Sequence, residues 1–93
     1  MTMQIDVLSA TATGDGTLVP FPTRIKGVVI TTTAGAGSVV LKDGGASGTT
    51  RLTLNTPAVA EMFNALLPGQ GIRFRTDVYV DLTNVSSITV FYD

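Results

Sequence analysis

The stretch at residues 72–82, IRFRTDVYVDL, decides the fold class of this chain. Its even positions are mostly apolar and its odd positions mostly charged, so the two sets fall on opposite faces of one long or once-broken β-strand. The apolar face is predicted to point into a core. The outward face presents, in order, Arg73, Arg75, Asp77, Tyr79 and Asp81.

The same alternation is present near both ends of the chain, at residues 3–7 and 87–92. Between residues 24 and 33 the apolar phase changes at Gly27, as a β-bulge would produce. Clusters of glycine, proline and asparagine separate these segments at intervals of roughly 8–15 residues, which is typical of all-β domains. The sequence therefore predicts a small β-sandwich or jelly roll of about seven to eight short antiparallel strands.

Two segments leave the prediction open. Residues 58–67, AVAEMFNALL, have a composition that favours a helix, but their β surroundings favour a strand or an irregular segment, which is the preferred prediction. The chain is expected to form a single domain over residues 1–93. Within it, residues 1–19 are expected to include a partly flexible N-terminal arm, because the stretch 9–17 is rich in glycine and threonine.

The composition favours an assembled protein. The 93 residues contain no cysteine and no histidine, only 14% are charged, and the net charge is −1. Disulfides and thiolate metal sites are thereby excluded, and so small a domain commonly gains stability by oligomerisation. The sequence has no cluster of basic residues of the kind that binds nucleic acid. Its longest aliphatic run, residues 28–30, is far too short to span a membrane.

The glycine-rich stretch at residues 41–52, LKDGGASGTTRL, is predicted to be a hairpin turn. A phosphate-binding loop would need a lysine after its last glycine and a following helix, whereas Thr49 and a strand-like segment follow here. Asp43 lacks the alternating acidic residues of a calcium loop. Asp77 and Asp81 stand roughly 13 Å apart on a straight strand, too far for a glycosidase pair. We therefore predict a non-enzymatic protein with no catalytic, cofactor, metal or small-molecule site.

The outward ladder of residue 73 to residue 81 has two interpretations. It is either a solvated strand face or a protein contact, since arginine and tyrosine are enriched at interface hot spots. Under the second interpretation, Tyr79→Ala is expected to weaken self-association.

The amino-acid sequence from about Arg24 to Tyr92 resembles that of small all-β virion proteins of tailed bacteriophages, particularly those of marine and cyanobacterial phages. The likeness is carried by RIKGVVITTTAGAGSVVLKDGGASGTTRLTLNTP, then LLPGQGIRF, then DVYVDLTNVSSITVFYD. It lies in the order of these elements: a glycine–valine strand, a strand ending in Asp-Gly, a P-G-x-G-I-x-F element, and a terminal tyrosine- and valine-rich hairpin.

The resemblance implies a structural component of the particle, assembled in the host cytoplasm and located on the capsid surface. The leading hypothesis is a capsid decoration (cement) protein that binds the major capsid protein and neighbouring copies as a homo-oligomer. The alternatives are a tail or head-fibre accessory protein and a carbohydrate- or receptor-binding β-sandwich module.

Overall fold

A computed structural model describes residues 8–67 and 71–93. This part of the chain is all-β, and none of it forms a helix long and apolar enough to cross a membrane. Its strands are β1 (Leu8–Ala12), β2 (Gly16–Val19), β3 (Thr23–Thr32), β4 (Gly37–Asp43), β5 (Thr49–Thr56), β6 (Met62–Leu66), β7 (Ile72–Phe74), β8 (Val78–Thr83) and β9 (Val85–Tyr92).

The strands form two antiparallel sheets. The five-stranded sheet has the order β1-β9-β3-β6, with β7 also paired to β3, and the four-stranded sheet has the order β2-β8-β4-β5. Pairing is nested from the ends of the chain toward its middle: β1 with β9, β2 with β8, β3 with β6 and β7, and β4 with β5. A ribbon of nested antiparallel pairs wound into two facing sheets is the jelly-roll form of a sandwich.

The core lies between the two sheets and is made mainly of valine and isoleucine side chains, with Phe74 and Leu41. Each central strand contributes side chains at alternate positions, as the period of two requires. Burial of one such side chain stabilises the fold by roughly 1.5–3 kcal/mol. The largest fully buried side chains are Phe74, Ile25, Leu41, Ile88, Val19, Val28, Val39, Val78, Val80 and Val90.

Several sequence predictions are confirmed. The all-β sandwich is observed, and β3 and β9 shift register between Ile25 and Gly27, which is the expected irregularity. Residues 62–66 of the ambiguous segment form β6, so the strand alternative holds there. The threonine hydroxyl of Thr32 helps to position this segment, because it accepts a hydrogen bond from the Glu61 amide at 3.1 Å and donates to the Val59 carbonyl.

Two parts of the stretch predicted as an N-terminal arm, residues 1–19, form strands. β1 pairs along its whole length with β9, and β2 pairs with β8, so residues 8–12 and 16–19 belong to the two sheets. The glycine- and threonine-rich composition there supplies a tight connection between sheets. Residues 1–7 lie outside the described residues.

Candidate functional site

The predicted ladder of alternating side chains does not form one face. Residues 75–77 carry the chain from the five-stranded sheet to the four-stranded sheet, so Arg73 on β7 and Tyr79 on β8 belong to different sheets. Phe74, Val78 and Val80 are nevertheless fully buried, as the alternation predicts. Arg75 and Asp77 occupy the crossing itself. Whether any ladder residue contacts a partner remains a prediction.

Asp43, at the end of β4, is buried at this crossing. Its carboxylate accepts hydrogen bonds from the Arg75 and Thr76 amides, each at 2.9 Å, and from Arg51 Nη2 at 3.1 Å and Nε at 3.3 Å. These donors, led by the Arg75 amide, lower the pKa of Asp43 from 3.8 to about 2, against the opposing effect of burial. Asp43 is therefore ionised and structural.

Asp77, in the crossing, forms hydrogen bonds to the β4–β5 hairpin in turn. Its Oδ1 accepts hydrogen bonds from the Gly44 and Gly45 amides at 2.9 and 3.1 Å. Both glycines have positive φ, 108° and 81°, which turns their amides toward this carboxylate. The pair of aspartates and the four amides form what we term the corner clamp, which joins the β4–β5 hairpin to the crossing between sheets. The glycine-rich loop is thus a turn held by the protein's own carboxylate.

The candidate functional surface lies on the outward side of the five-stranded sheet. Three rows of side chains cross it, with Thr11, Thr89, Val29 and Asn64 in the middle row. We call this surface the uncharged face, because the outward side chains of these three rows are neutral. Its members are Ser9, Thr11, Gly27, Val29, Thr31, Met62, Asn64, Ser87, Thr89 and Phe91. Arg24 and Arg73 pair beyond the rows, where β7 joins β3.

The uncharged face is not flat, because it has two exposed apolar side chains and a depression. Met62 is 66% exposed and Phe91 37% exposed. Between β9 and β6, where Gly27 has no side chain, lies a shallow depression of about 290 Å³ lined by Phe91, Val29 and Asn64 among others. Lys26 and Asp93 form an ion pair of 3.5 Å at one end of the sheet. An uncharged centre with charge at its margin is the usual anatomy of a protein interface.

The outward side of the four-stranded sheet has a different chemistry. Lys42 on β4 and Asp81 on β8 form a diagonal ion pair of 3.8 Å, and the Asp81 side chain is 42% exposed. Such exposed pairs add little stability but keep a surface hydrated. This side therefore resembles an ordinary solvated strand face, and it includes two of the five predicted contact residues, Tyr79 and Asp81.

A second apolar feature, which we call the edge groove, lies at the edge of the sandwich where β5 and β6 are the outermost strands of their sheets. A groove of about 160 Å³ opens there between the two sheets, lined mainly by Val28, Ile30, Leu54, Phe63 and Ala65. Neither β5 nor β6 has a further strand on its outer side among the described residues. The groove thus leads from this edge toward the buried side chains of Val28 and Ile30. The sequence contained a signal for the groove, the alternation of Phe63 and Ala65, but not the position of β6 at an edge.

Within residues 8–67 and 71–93, no group of three or more acidic, histidine or cysteine side chains is arranged to hold a metal ion. Comparison with protein-family models, with curated proteins and with solved structures gives no match to this chain. The candidate functional surfaces are the uncharged face and the edge groove. Both depend on which strands are neighbours, so residue types alone do not predict them.

Proposed function

We propose that this chain is a non-enzymatic structural protein of a tailed-bacteriophage virion, most specifically a capsid decoration protein. The observation that carries the proposal is the uncharged face, a broad sheet surface whose central rows lack charge while the opposite sheet carries it. Depletion of charge at the centre of a patch is the compositional signal of a protein contact. The resemblance of residues 24–92 to virion proteins supplies the kind of partner.

The dimensions of the face suit repeated weak binding. Four strands about 4.8 Å apart and five residues at about 3.3 Å each cover about 300 Å². A stable pairwise interface buries about 800 Å² on each partner, so one copy on one site would bind weakly. On a symmetric shell, copies that also contact each other bind together, and their contacts add through multivalency. The partners are accordingly the major capsid protein and neighbouring copies.

The copy number in purified particles tests this function. Hundreds of copies per particle are expected for a decoration protein, whereas about six to thirty would indicate the tail or head-fibre alternative. Absence from particles would refute every virion role.

A pair of matched substitutions tests the face. Thr89 lies in its middle row, whereas Thr53 is exposed on the outward side of the other sheet, beside Val40. We expect Thr89→Lys to reduce retention on undecorated shells at least tenfold, since a charge would be buried in the contact, and Thr53→Lys to leave retention unchanged. Loss of retention with Tyr79→Ala but not with Thr89→Lys would instead assign the contact to the four-stranded sheet.

A carbohydrate-binding role has one supporting observation, the depression beside Phe91 and Asn64, since sugars stack on exposed aromatic rings and bond to side-chain amides. Binding of the isolated protein to a glycan array, abolished by Phe91→Ala, would favour that role over decoration.

A further inference from the structure

Apolar residues alternate with polar ones in the sequence before β1. If β1 continued straight through these residues, their apolar side chains would not face the core of the same chain. In β1 the even positions face the core: Ala10 and Ala12 pack against it, while Ser9 and Thr11 are exposed. The apolar residues before β1 are at odd positions, Met3, Ile5 and Val7. Since a shift of one residue moves every side chain to the other face, a straight continuation of β1 would turn these three away from the core.

The edge groove offers the complementary surface. It is apolar, about 160 Å³, and open at β6. A cavity of about 150 Å³ lined by such side chains is large enough to hold a benzene ring, so this groove has room for aliphatic side chains. β6, with the sequence MFNAL, has no charge and no proline, the features that usually protect an edge strand against pairing.

Residues 3–7 of a chain cannot all lie beside β6 of the same chain. β1 and β6 are separated by β9 and β3, a lateral distance of about 14 Å. Phe63 lies in the same row of paired residues across the sheet as Ala12, which is four residues after Leu8. This adds a distance of about 13 Å along the strand direction. The separation of Leu8 from Phe63 is thus about 19 Å, whereas Val7 is bonded to Leu8 and Ile5 lies at most about 11 Å from Leu8 along an extended chain.

Leu8 begins β1 at one end of the five-stranded sheet. It pairs with Tyr92 at the end of β9, and the Tyr92 ring contacts the Phe21 ring edge-on with centroids 6.0 Å apart. Leu8 is therefore held in the sheet by its pairing with β9.

We propose that residues 3–7 of one copy form an additional strand beside β6 of a second copy and insert Met3, Ile5 and Val7 into its edge groove. In an antiparallel register that sets Ile5 opposite Ala65 and Val7 opposite Phe63, backbone hydrogen bonds provide the pairing, and the alternate side chains face the groove and complete the core of the second copy. Each copy donates one strand and accepts one, so the exchange closes between two copies or continues as a ring or chain of copies. The proposal concerns self-association and does not rest on the proposed virion role.

Cysteine cross-linking tests the contact directly, because the natural chain has no cysteine. A copy with Ile5→Cys is mixed with a copy with Ala65→Cys and oxidised, and a disulfide-linked dimer of the two is expected on a non-reducing gel. The matched control Gln4→Cys, one residue away on the opposite face of the added strand, is expected not to link to Ala65→Cys. Equal linking by both, linking by neither, or a bond within one chain carrying Ile5→Cys and Ala65→Cys would overturn the proposal.

The oligomer mass provides the second measurement. Light scattering is expected to show multiples of 9.7 kDa for the natural chain. Ile5→Asp is expected to raise the concentration needed for association about ten- to hundredfold, since it removes one buried aliphatic side chain, while Gln4→Asp leaves it unchanged. A natural chain that stays a monomer at every accessible concentration, or equal effects of the two variants, would contradict the exchange.

Discussion

Replacement of Asp43 by asparagine is the sharpest test of the corner clamp. The carboxylate accepts four hydrogen bonds, with three donor groups on one oxygen and the Thr76 amide on the other. The Asp43→Asn amide can accept on only one side, so its NH₂ group faces a donor in either orientation. The variant therefore loses the charge and leaves at least one buried donor without an acceptor.

The magnitude follows from the pKa. A shift from 3.8 to about 2 corresponds to about 2 kcal/mol, at about 1.4 kcal/mol per pKa unit. An unsatisfied buried donor adds about 1–2 kcal/mol. We expect Asp43→Asn to lower the free energy of unfolding at pH 7 by about 3–4 kcal/mol, measured by urea denaturation.

The pH dependence isolates the charge. Because the folded-state pKa of Asp43 is depressed, its stabilisation is fully present above pH 3.8 and is lost as the pH falls toward about 2. The difference between the natural chain and Asp43→Asn should therefore shrink by about 2 kcal/mol across this interval. Asp81→Asn, at a side chain 42% exposed, serves as the control and should change stability by less than about 0.5 kcal/mol. A difference that is absent at pH 7, or constant with pH, would refute the reasoning.

Two further substitutions test the packing around the hairpins. Gly37→Ala would place a Cβ 1.8 Å from the Thr83 carbonyl oxygen, so we expect a loss of about 2–3 kcal/mol in urea denaturation, against almost none for Gly14→Ala, where no heavy atom lies within 4 Å. Similar losses in both would show that the close approach is not responsible. Asp77→Ala removes the acceptor of two glycine amides, so we expect a loss of about 1 kcal/mol and faster hydrogen exchange at those amides. Unchanged exchange would mean that the carboxylate does not hold the loop.

The strands of the core could be predicted because their residues carry the relevant information locally. Val78 and Val80 alternate with polar neighbours, and the change of phase at Gly27 marks the irregularity in β3 before any partner strand is known. The hairpin at Gly44 and Gly45 was predictable for the same reason, since positive φ is a property of single residues. Period two does not, however, show which sheet a strand joins. The ladder was therefore predicted as one face although its chain crosses between sheets.

By itself, the sequence determined that this chain is an all-β sandwich with turns at its glycines and a core of alternating valines and isoleucines. Only the tertiary structure decided the partners of those strands, because pairing depends on residues far apart in the chain. It turned Asp43 and Asp77 into the two halves of a clamp, gathered threonines of β1 and β9 with Val29 and Asn64 into an uncharged face, and placed β6 at an open edge. Each of these features is a juxtaposition of side chains from strands that no local pattern connects.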